Sequence, residues 1–103
     1  MDDIKDTARV FKALSDETRL RLVKLLAEQG PEGALCVGAL ANRLGVTQSA
    51  VSQHLAVLRG AGLVVDERRG YFVHYRLNRR RLVEWQERVG EITGEERPQV
   101  VRG

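Results

Sequence analysis

Two short helical segments joined by a tight turn restrict the fold of this chain more than any other feature of its sequence. The first segment, Val37 to Leu44, ends at Gly45, and the second runs from Gln48 to about Arg59. Thr47 is a residue type that caps helix N-termini, and Gly45 suits a tight turn because glycine readily adopts left-handed backbone conformations. The small side chain of Ala41 lets the two helices approach each other. The segment therefore predicts a helix-turn-helix.

The second of these helices has two chemically different faces. Val51, Leu55 and Leu58 recur at helical spacing and predict the buried face. The other face carries four short polar side chains that both donate and accept hydrogen bonds: Gln48, Ser49, Ser52 and Gln53. Such groups can bond to base edges in the major groove of DNA, and no acidic residue between Thr47 and Leu58 would repel phosphate. We therefore expect this face to read DNA, with a polar helix that binds no ligand as the alternative.

A basic hairpin is predicted directly after this helix. The apolar and aromatic runs Leu63–Val65 and Tyr71–Leu77 are separated by the charged segment Asp66–Gly70, which is typical of a hairpin. The whole chain has a net charge of +3, yet residues 35–81 contain eight Arg and only two acidic residues. Charge alone leaves a solvated surface as an equal alternative. Combined with the helix-turn-helix, the arginines favour a nucleic-acid partner, because their planar side chains suit phosphates and base edges.

Helical periodicity predicts three further helices. The first helix ends near Ser15, which would cap a second helix from Asp16 to about Gln29 with Leu20, Val23, Leu26 and Ala27 on its apolar face. The last helix follows Asn78, a residue type that caps helix N-termini. The predicted fold is mainly α with a β-hairpin, in the order α-α-α-α-β-β-α, over residues 1–92. Residues 93–103 lack periodicity and predict a flexible tail.

Surplus apolar residues on the first and last helices predict an interface between two copies of the chain. Their spacing resembles the seam of a helix pair: Ile4, Ala8 and Phe11 on the first helix, and Leu82, Trp85, Val89 and Ile92 on the last. One helix of about a dozen residues contacts only one segment of a groove, so two copies are needed for operator-level affinity. The alternative is that the two stripes only cover the core of the monomer.

Other classes of protein are disfavoured by the sequence. The chain has no phosphate-binding glycine loop and no H-E-x-x-H motif, so we expect neither enzymatic activity nor a cofactor. Its longest apolar stretch, Ala34 to Ala41, is far shorter than the roughly 20 residues that cross a bilayer. The start of the chain, Met1-Asp2-Asp3, does not match a secretory signal, so we expect a cytoplasmic protein. The single Cys36 cannot form an internal disulfide.

Several segments between about Thr7 and Ile92 occur in a specific order and spacing: Ala13–Leu22, Leu35–Val37, Thr47–Leu55 with Leu58, Gly62–Val64, and Gly70 with Tyr75 and Leu77. In these segments the sequence resembles the ArsR/SmtB family of winged helix-turn-helix repressors. The resemblance implies a homodimeric transcriptional repressor that binds a palindromic operator and often releases it when an effector binds. Two alternatives stay open: a winged-helix assembly module that reads no DNA, and a DNA-binding regulator whose signal is a protein partner.

The resemblance also implies roles for individual residues. It places operator contacts on Gln48, Ser49, Ser52 and Gln53, with Thr47 and His54 in second rank. Thr47 is also a helix cap, and His54 is equally suited to a structural hydrogen bond. In the hairpin, which is the wing of the family, the residues that flank the tip would meet phosphate or the minor groove: Arg68, Arg69 and Tyr71. Arg76 and Arg79–Arg81 are either further contacts or solvated surface.

The resemblance is incomplete at the metal-binding positions of the family. The sensors of arsenic, lead and cadmium place Cys-x-Cys around the third helix, whereas this chain has Cys36-Val37-Gly38. The sensors of zinc and nickel use Asp and His on the last helix, and residues 79–92 contain neither. We therefore expect no metal site. For Cys36, an inert thiol is favoured over a redox sensor.

Overall fold

A computed structural model describes residues 3–94, which form five helices and three strands. In chain order these elements are α1 (Asp3–Leu14), α2 (Glu17–Ala27), β1 (Leu35–Cys36), α3 (Val37–Leu44), α4 (Gln48–Gly60), β2 (Val64–Arg69), β3 (Phe72–Leu77) and α5 (Arg79–Thr93). The five predicted helices and the hairpin are confirmed. The tail predicted over residues 93–103 is wrong at its first residue, because Thr93 is the last residue of α5, and from position 95 onward it lies outside the described residues. Across the described residues, no helix has the length and apolar character needed to span a membrane.

The predicted element order omitted the short strand β1. This strand pairs with β3 in antiparallel fashion, with Leu35 opposite Tyr75 and Cys36 opposite His74, so the sheet has the order β1-β3-β2. A strand of two residues is too short to show alternation in the sequence. Its strand conformation depends on pairing with a partner about forty positions along the chain.

The hairpin turn is shorter than the sequence predicted. β2 continues to Arg69, which lies opposite Phe72, so that only Gly70 and Tyr71 form the turn. Gly70 has a φ of +65°, a conformation that glycine adopts without strain. The charged residues from Asp66 onward were interpreted as a loop. At the far end of a hairpin, however, side chains project into solvent, so charged residues are compatible with strand pairing.

The start and the buried face of α2 differ from the prediction. Asp16, not Ser15, is the N-cap, and its carboxylate accepts a hydrogen bond from the backbone N–H of Arg19 at 3.1 Å. Ser15 Oγ instead donates to the carbonyl of Lys12 at 2.8 Å, at the end of α1. Of the predicted apolar face, Leu26 is fully buried and Val23 packs against the core. Leu20 is 53% exposed and Ala27 is also exposed, because packing buries Leu22 in their place.

The helix-turn-helix shares one core with α2. Leu40 on α3 and Leu55 and Leu58 on α4 are buried together with the two core leucines of α2. Gly45 ends α3 with a φ of +69°, and its N–H donates to the carbonyl of Ala41 at 2.9 Å. The predicted inner face of α4 is thereby confirmed, and the opposite face of this helix points away from the core.

Candidate nucleic-acid interface

The outer face of α4 is polar and exposed. Thr47 Oγ1 accepts a hydrogen bond from the backbone N–H of Ala50 at 3.0 Å, so Thr47 is the helix cap. The four polar residues predicted to contact DNA are all exposed on this helix: Gln48, Ser49, Ser52 and Gln53. The buried stripe on the other side prevents the helix from rotating these groups inward.

The first residue of α4 lies beside α3. A Cβ atom placed on Gly38 would lie 3.5 Å from Nε2 of Gln48, which is ordinary van der Waals contact. The amide of Gln48 therefore packs beside the start of α3, and a Cβ at position 38 would not displace it. This position is the one at which the metal-binding pattern of the family would require its second cysteine.

His54 occupies the side of α4 that faces α2. Its Nδ1 lies 3.2 Å from Nη1 of Arg19, whose Nε also donates to the carbonyl of Ala13 at 2.6 Å. Because a guanidinium group can only donate, Nδ1 of His54 is the acceptor in this contact. Asp16 Oδ2 lies 3.9 Å from the other ring nitrogen. The backbone N–H of Arg19 is the main cause that holds the pKa of Asp16 below its ordinary value. These contacts favour a structural role for His54.

The arginines of the wing differ in their partners. Arg69 and Arg76 both donate to the carboxylate of Glu67, at 3.2 Å and 2.9 Å, and Arg76 followed by Arg69 lowers the pKa of Glu67. Arg68 is exposed, and its guanidinium has no ion pair or hydrogen bond to another described residue. At the tip, Tyr71 is 95% exposed. The positive charge of Arg68 is therefore available to an external anion, whereas that of Arg69 is partly compensated.

Sequence reasoning missed one basic residue beside α4. Arg43 lies in the last turn of α3, is exposed, and has no ion pair with any residue between positions 3 and 94. The first helix of a helix-turn-helix crosses the DNA backbone, so a cation at this place is suited to phosphate. Its position just before the turn residue Gly45 was a signal that could have identified it.

The arginine run before α5 has structural and exposed members. Arg79 Nη2 donates to the carbonyl of Ala27 at 3.0 Å, at the end of α2. Arg81 makes a bidentate ion pair with Asp6 on α1, at 2.8 Å and 2.9 Å. Of the three arginines in this run, only Arg80 is exposed with no side-chain partner among the described residues. The interpretation of the run as solvated surface therefore fails for Arg79 and Arg81, whose partners are distant in sequence.

The apolar stripes of α1 and α5 come together in one chain. The rings of Phe11 and Trp85 contact edge to face, with centroids 4.9 Å apart, and Nε1 of Trp85 donates to the carbonyl of Thr7 at 3.3 Å. Leu82 and Trp85 pack against the core, and Val89 is half-buried. The exposed members of the two stripes are Ile4 at 58%, Ala8, Phe11 at 50% and Ile92 at 47%. The stripes therefore cover part of the monomer core and leave an apolar outer surface.

The metal positions of the family do not hold a suitable donor set. Cys36 is half-buried at the start of α3, and its side chain makes no cap hydrogen bond. Within residues 3–94, no three His, Cys, Asp or Glu side chains are grouped so that they could hold a metal ion. One thiol beside Gly38 does not satisfy a metal that needs three or four ligands.

Comparisons with known proteins agree with this geometry. The sequence profile of bacterial regulatory proteins of the ArsR family matches residues 16–65. The arsenic resistance transcriptional regulator ArsR1 of Pseudomonas putida KT2440 is 45% identical over 78 residues, which are 76% of this chain and 59% of that protein. The chain spans less than two thirds of the length of this and two similar curated relatives.

Solved structures of similar fold include an ArsR-like regulator and one homodimeric DNA-binding domain. An ArsR-like transcriptional regulator from Rhodococcus sp. RHA1 matches with a TM-score of 0.75 at 33% identity, over 88% of this chain and 81% of that chain. A homodimeric winged helix-turn-helix DNA-binding domain from Mycobacterium bovis matches with a TM-score of 0.70 at 27% identity, over 97% and 88% of the two chains. These likenesses confirm the predicted winged helix-turn-helix fold and the resemblance noted in the sequence.

Proposed function

Because the chain belongs to the ArsR family of bacterial regulatory proteins, we propose that it is a transcriptional repressor that binds double-stranded DNA. Its operator is an inverted repeat, which it binds as a homodimer. In this proposal α4 is the recognition helix in the major groove, and the wing formed by β2 and β3 contacts the neighbouring backbone or minor groove. The protein acts in the cytoplasm, where a bacterial operator lies, and members of this family are not enzymes.

The observation that carries the proposal is the outer face of the recognition helix. Its exposed amide and hydroxyl groups donate and accept hydrogen bonds, and no carboxylate follows until Asp66. A side-chain amide can form two hydrogen bonds with the edge of one adenine, and a Ser hydroxyl can form a hydrogen bond with several kinds of base edge. Gln48 and Ser49 at the start of the helix are the principal base contacts, because the N-terminal residues of a recognition helix approach the bases. Ser52 and Gln53 follow one turn later.

Phosphate contacts surround this face in the proposal. Arg68 on the wing and Arg43 on α3 are exposed, and within residues 3–94 neither has an ion pair with a carboxylate. Arg69 and Tyr71 add contacts at the wing tip. Thr47 and His54 contribute mainly by capping and seating the helix, as their hydrogen bonds indicate. The arginines Arg43, Arg68 and Arg69 provide affinity that does not depend on base sequence and that weakens as the salt concentration rises.

The homodimer pairs α1 and α5 of the two copies. The large apolar side chains of Phe11 and Ile92 are about half exposed on this surface, at 50% and 47%. The homodimeric state of the similar domain from Mycobacterium bovis supports the same use of this fold. Two recognition helices held about 34 Å apart would meet successive major grooves on one side of the duplex.

The signal that relieves repression is an effector or a protein partner of unknown identity. Arsenic appears in the name of the relative from Pseudomonas putida, but the Cys-x-Cys pattern that the resemblance implies for arsenic sensors is incomplete in this chain. Cys36 has Gly38 in place of a second thiol, and that glycine lies beside Gln48. We therefore do not extend the arsenic response to this chain.

Selection of binding sites from random double-stranded DNA tests the proposed function. The full chain should retain its selected duplex in the presence of excess random DNA, at both about 50 and about 200 mM salt. The selected sites should contain an inverted repeat. A winged-helix assembly module would instead show only weak binding that random DNA and salt abolish, and this result would overturn the proposal.

A further inference from the structure

The carbonyl of the last residue of α4 and the two carbonyls that follow it accept hydrogen bonds from side chains of α1 and of the start of α5. Nη2 of Arg9 on α1 donates to the carbonyl of Gly60 at 2.8 Å. Nε of Arg81 on α5 donates to the carbonyl of Ala61 at 3.2 Å. Nδ2 of Asn78, the cap of α5, donates to the carbonyl of Gly62 at 3.1 Å. We call Arg9, Asn78 and Arg81 the α4 clamp. Guanidinium groups stabilise this end because the last carbonyls of a helix carry partial negative charge and lack intrahelical partners.

The guanidinium of Arg81 is itself held in place by α1. Both of its terminal nitrogens donate to the carboxylate of Asp6, at 2.8 Å and 2.9 Å, while Nε donates to the carbonyl of Ala61 just after α4. Gly62 has a φ of +78°, and a Cβ at that position would lie 3.3 Å from Nε of Arg81. The glycine therefore leaves room for the arginine to approach the backbone. Asp6, Arg81 and the end of α4 form one continuous polar contact.

This contact joins the proposed dimer helices to the far end of the recognition helix. α4 has 13 residues, so its clamped end and its base-reading end are about 18 Å apart. A tilt of about 10° at the clamped end would move Gln48 by about 3 Å, close to the roughly 3.4 Å rise of one base pair. In a dimer, the tilt of each helix changes the separation of the two reading surfaces.

We propose that the α4 clamp and Asp6 are positioning residues that set the separation of the two recognition helices. They thereby determine which spacing of operator half-sites the protein accepts. This inference rests on the proposed function, dimeric operator binding. The clamp acts through the backbone of α4 and requires no contact between its own side chains and DNA.

The test compares Asp6→Asn with Asp3→Asn, two substitutions that each remove one negative charge from α1. Asp3 pairs with Arg88 at 3.3 Å and so also joins α1 to α5, but no hydrogen bond joins Arg88 to α4. The DNA probes are the inverted repeat selected by the wild type, a single half-site, and duplexes with one base pair added or removed between the halves. Sedimentation and thermal unfolding show whether each variant remains a folded dimer.

The affinity of Asp6→Asn for the half-site should stay within about twofold of the wild-type affinity. Its preference for the selected spacing is the ratio of its affinity for the selected repeat to its affinity for the duplexes with one base pair added or removed. This ratio should fall by about tenfold. Asp3→Asn should keep the wild-type preference. An unchanged spacing preference in Asp6→Asn, or an equal loss on half-site and full site, would overturn the inference. If Asp6→Asn does not fold, Arg9→Gln, which removes the guanidinium donor to Gly60 and a positive charge near Asp6, is judged by the same outcomes. A wild type with no selected site or spacing preference would instead overturn the proposed function itself.

Discussion

Arg81 donates two hydrogen bonds to the carboxylate of Asp6, from Nη1 to Oδ2 at 2.8 Å and from Nη2 to Oδ1 at 2.9 Å. The two residues are 75 positions apart in the chain, and the pair joins the first helix to the last. Their side chains are only 18% and 17% exposed, whereas those of Arg21 and Glu17 are 64% and 79% exposed. Reduced screening by water makes the Asp6–Arg81 pair the stronger contributor to stability.

The first prediction concerns stability and pH. The hydrogen bonds from Arg81 hold the pKa of Asp6 below its ordinary value of 3.8. Because the folded-state pKa is the lower one, the pair stabilises the fold above the ordinary value and loses its effect as the pH falls through the folded-state pKa. At pH 7, Asp6→Asn should lower the free energy of unfolding by about 1–3 kcal/mol. Urea unfolding between about pH 7 and pH 3 should show the difference from wild type decreasing at the acidic end. A difference that stays constant over this range would contradict the assignment.

The second prediction concerns base recognition. Gln48→Ala should weaken binding to the selected operator by about 1–3 kcal/mol and leave binding to random DNA nearly unchanged, because an amide contact is made only to the matching base. Gln29→Ala is the matched control, since Gln29 follows α2 and lies outside the recognition helix, the wing and the proposed dimer helices. Fluorescence anisotropy on both duplexes gives the comparison. Equal losses on the two DNAs would show that Gln48 does not read a base.

The third prediction concerns the phosphate contacts. Arg43→Ala and Arg68→Ala should each weaken binding to operator and random DNA alike, and each should reduce the slope of log affinity against log salt by about one unit. Arg21→Ala is the control, because Arg21 pairs with Glu17 on the exposed side of α2. The slope is measured from titrations at several salt concentrations. A slope equal to that of wild type would remove the substituted arginine from the interface.

The fourth prediction concerns the dimer. Ile92→Glu should raise the dimer dissociation constant about tenfold or more, because the charge would be buried unpaired between the two copies. Leu20→Glu introduces the same charge at a comparably exposed position, 53% against 47%, on α2. Its dimer should be unchanged. Sedimentation equilibrium measures both constants. A wild type that is monomeric at micromolar concentration, or an Ile92→Glu dimer of normal strength, would place the interface elsewhere.

The fifth prediction concerns metals. Stoichiometric arsenite, cadmium or zinc should not release the protein from its selected operator, because Cys36 lacks the second thiol of the family pattern. Cys36→Ser should behave as wild type in the same gel-shift titration. Elemental analysis of the purified protein complements the assay. Bound metal at one equivalent, together with release of DNA that Cys36→Ser abolishes, would reverse this interpretation.

The helix-turn-helix was predictable from the sequence because its signals are local. Thr47 caps the helix that follows it, and Gly45 ends the helix that precedes it, with contacts only three or four residues apart. The bounds of α3 and the inner face of α4 agree with the prediction for this reason. The polar outer face of α4 followed directly, since a helix that buries one side must expose the other.

Tertiary structure decided what depends on partners distant in the chain. Strand β1 requires Tyr75 and His74 beside it, and the buried stripe of α2 was selected by packing among several possible leucines. Arg81 resembled its neighbour Arg80 in the sequence, but only Arg81 reaches Asp6 and the end of α4. The sequence by itself therefore determined the element that faces DNA, through capping and periodicity. The fold determined how that element is held, because ion pairs and carbonyl contacts form only where distant helices meet.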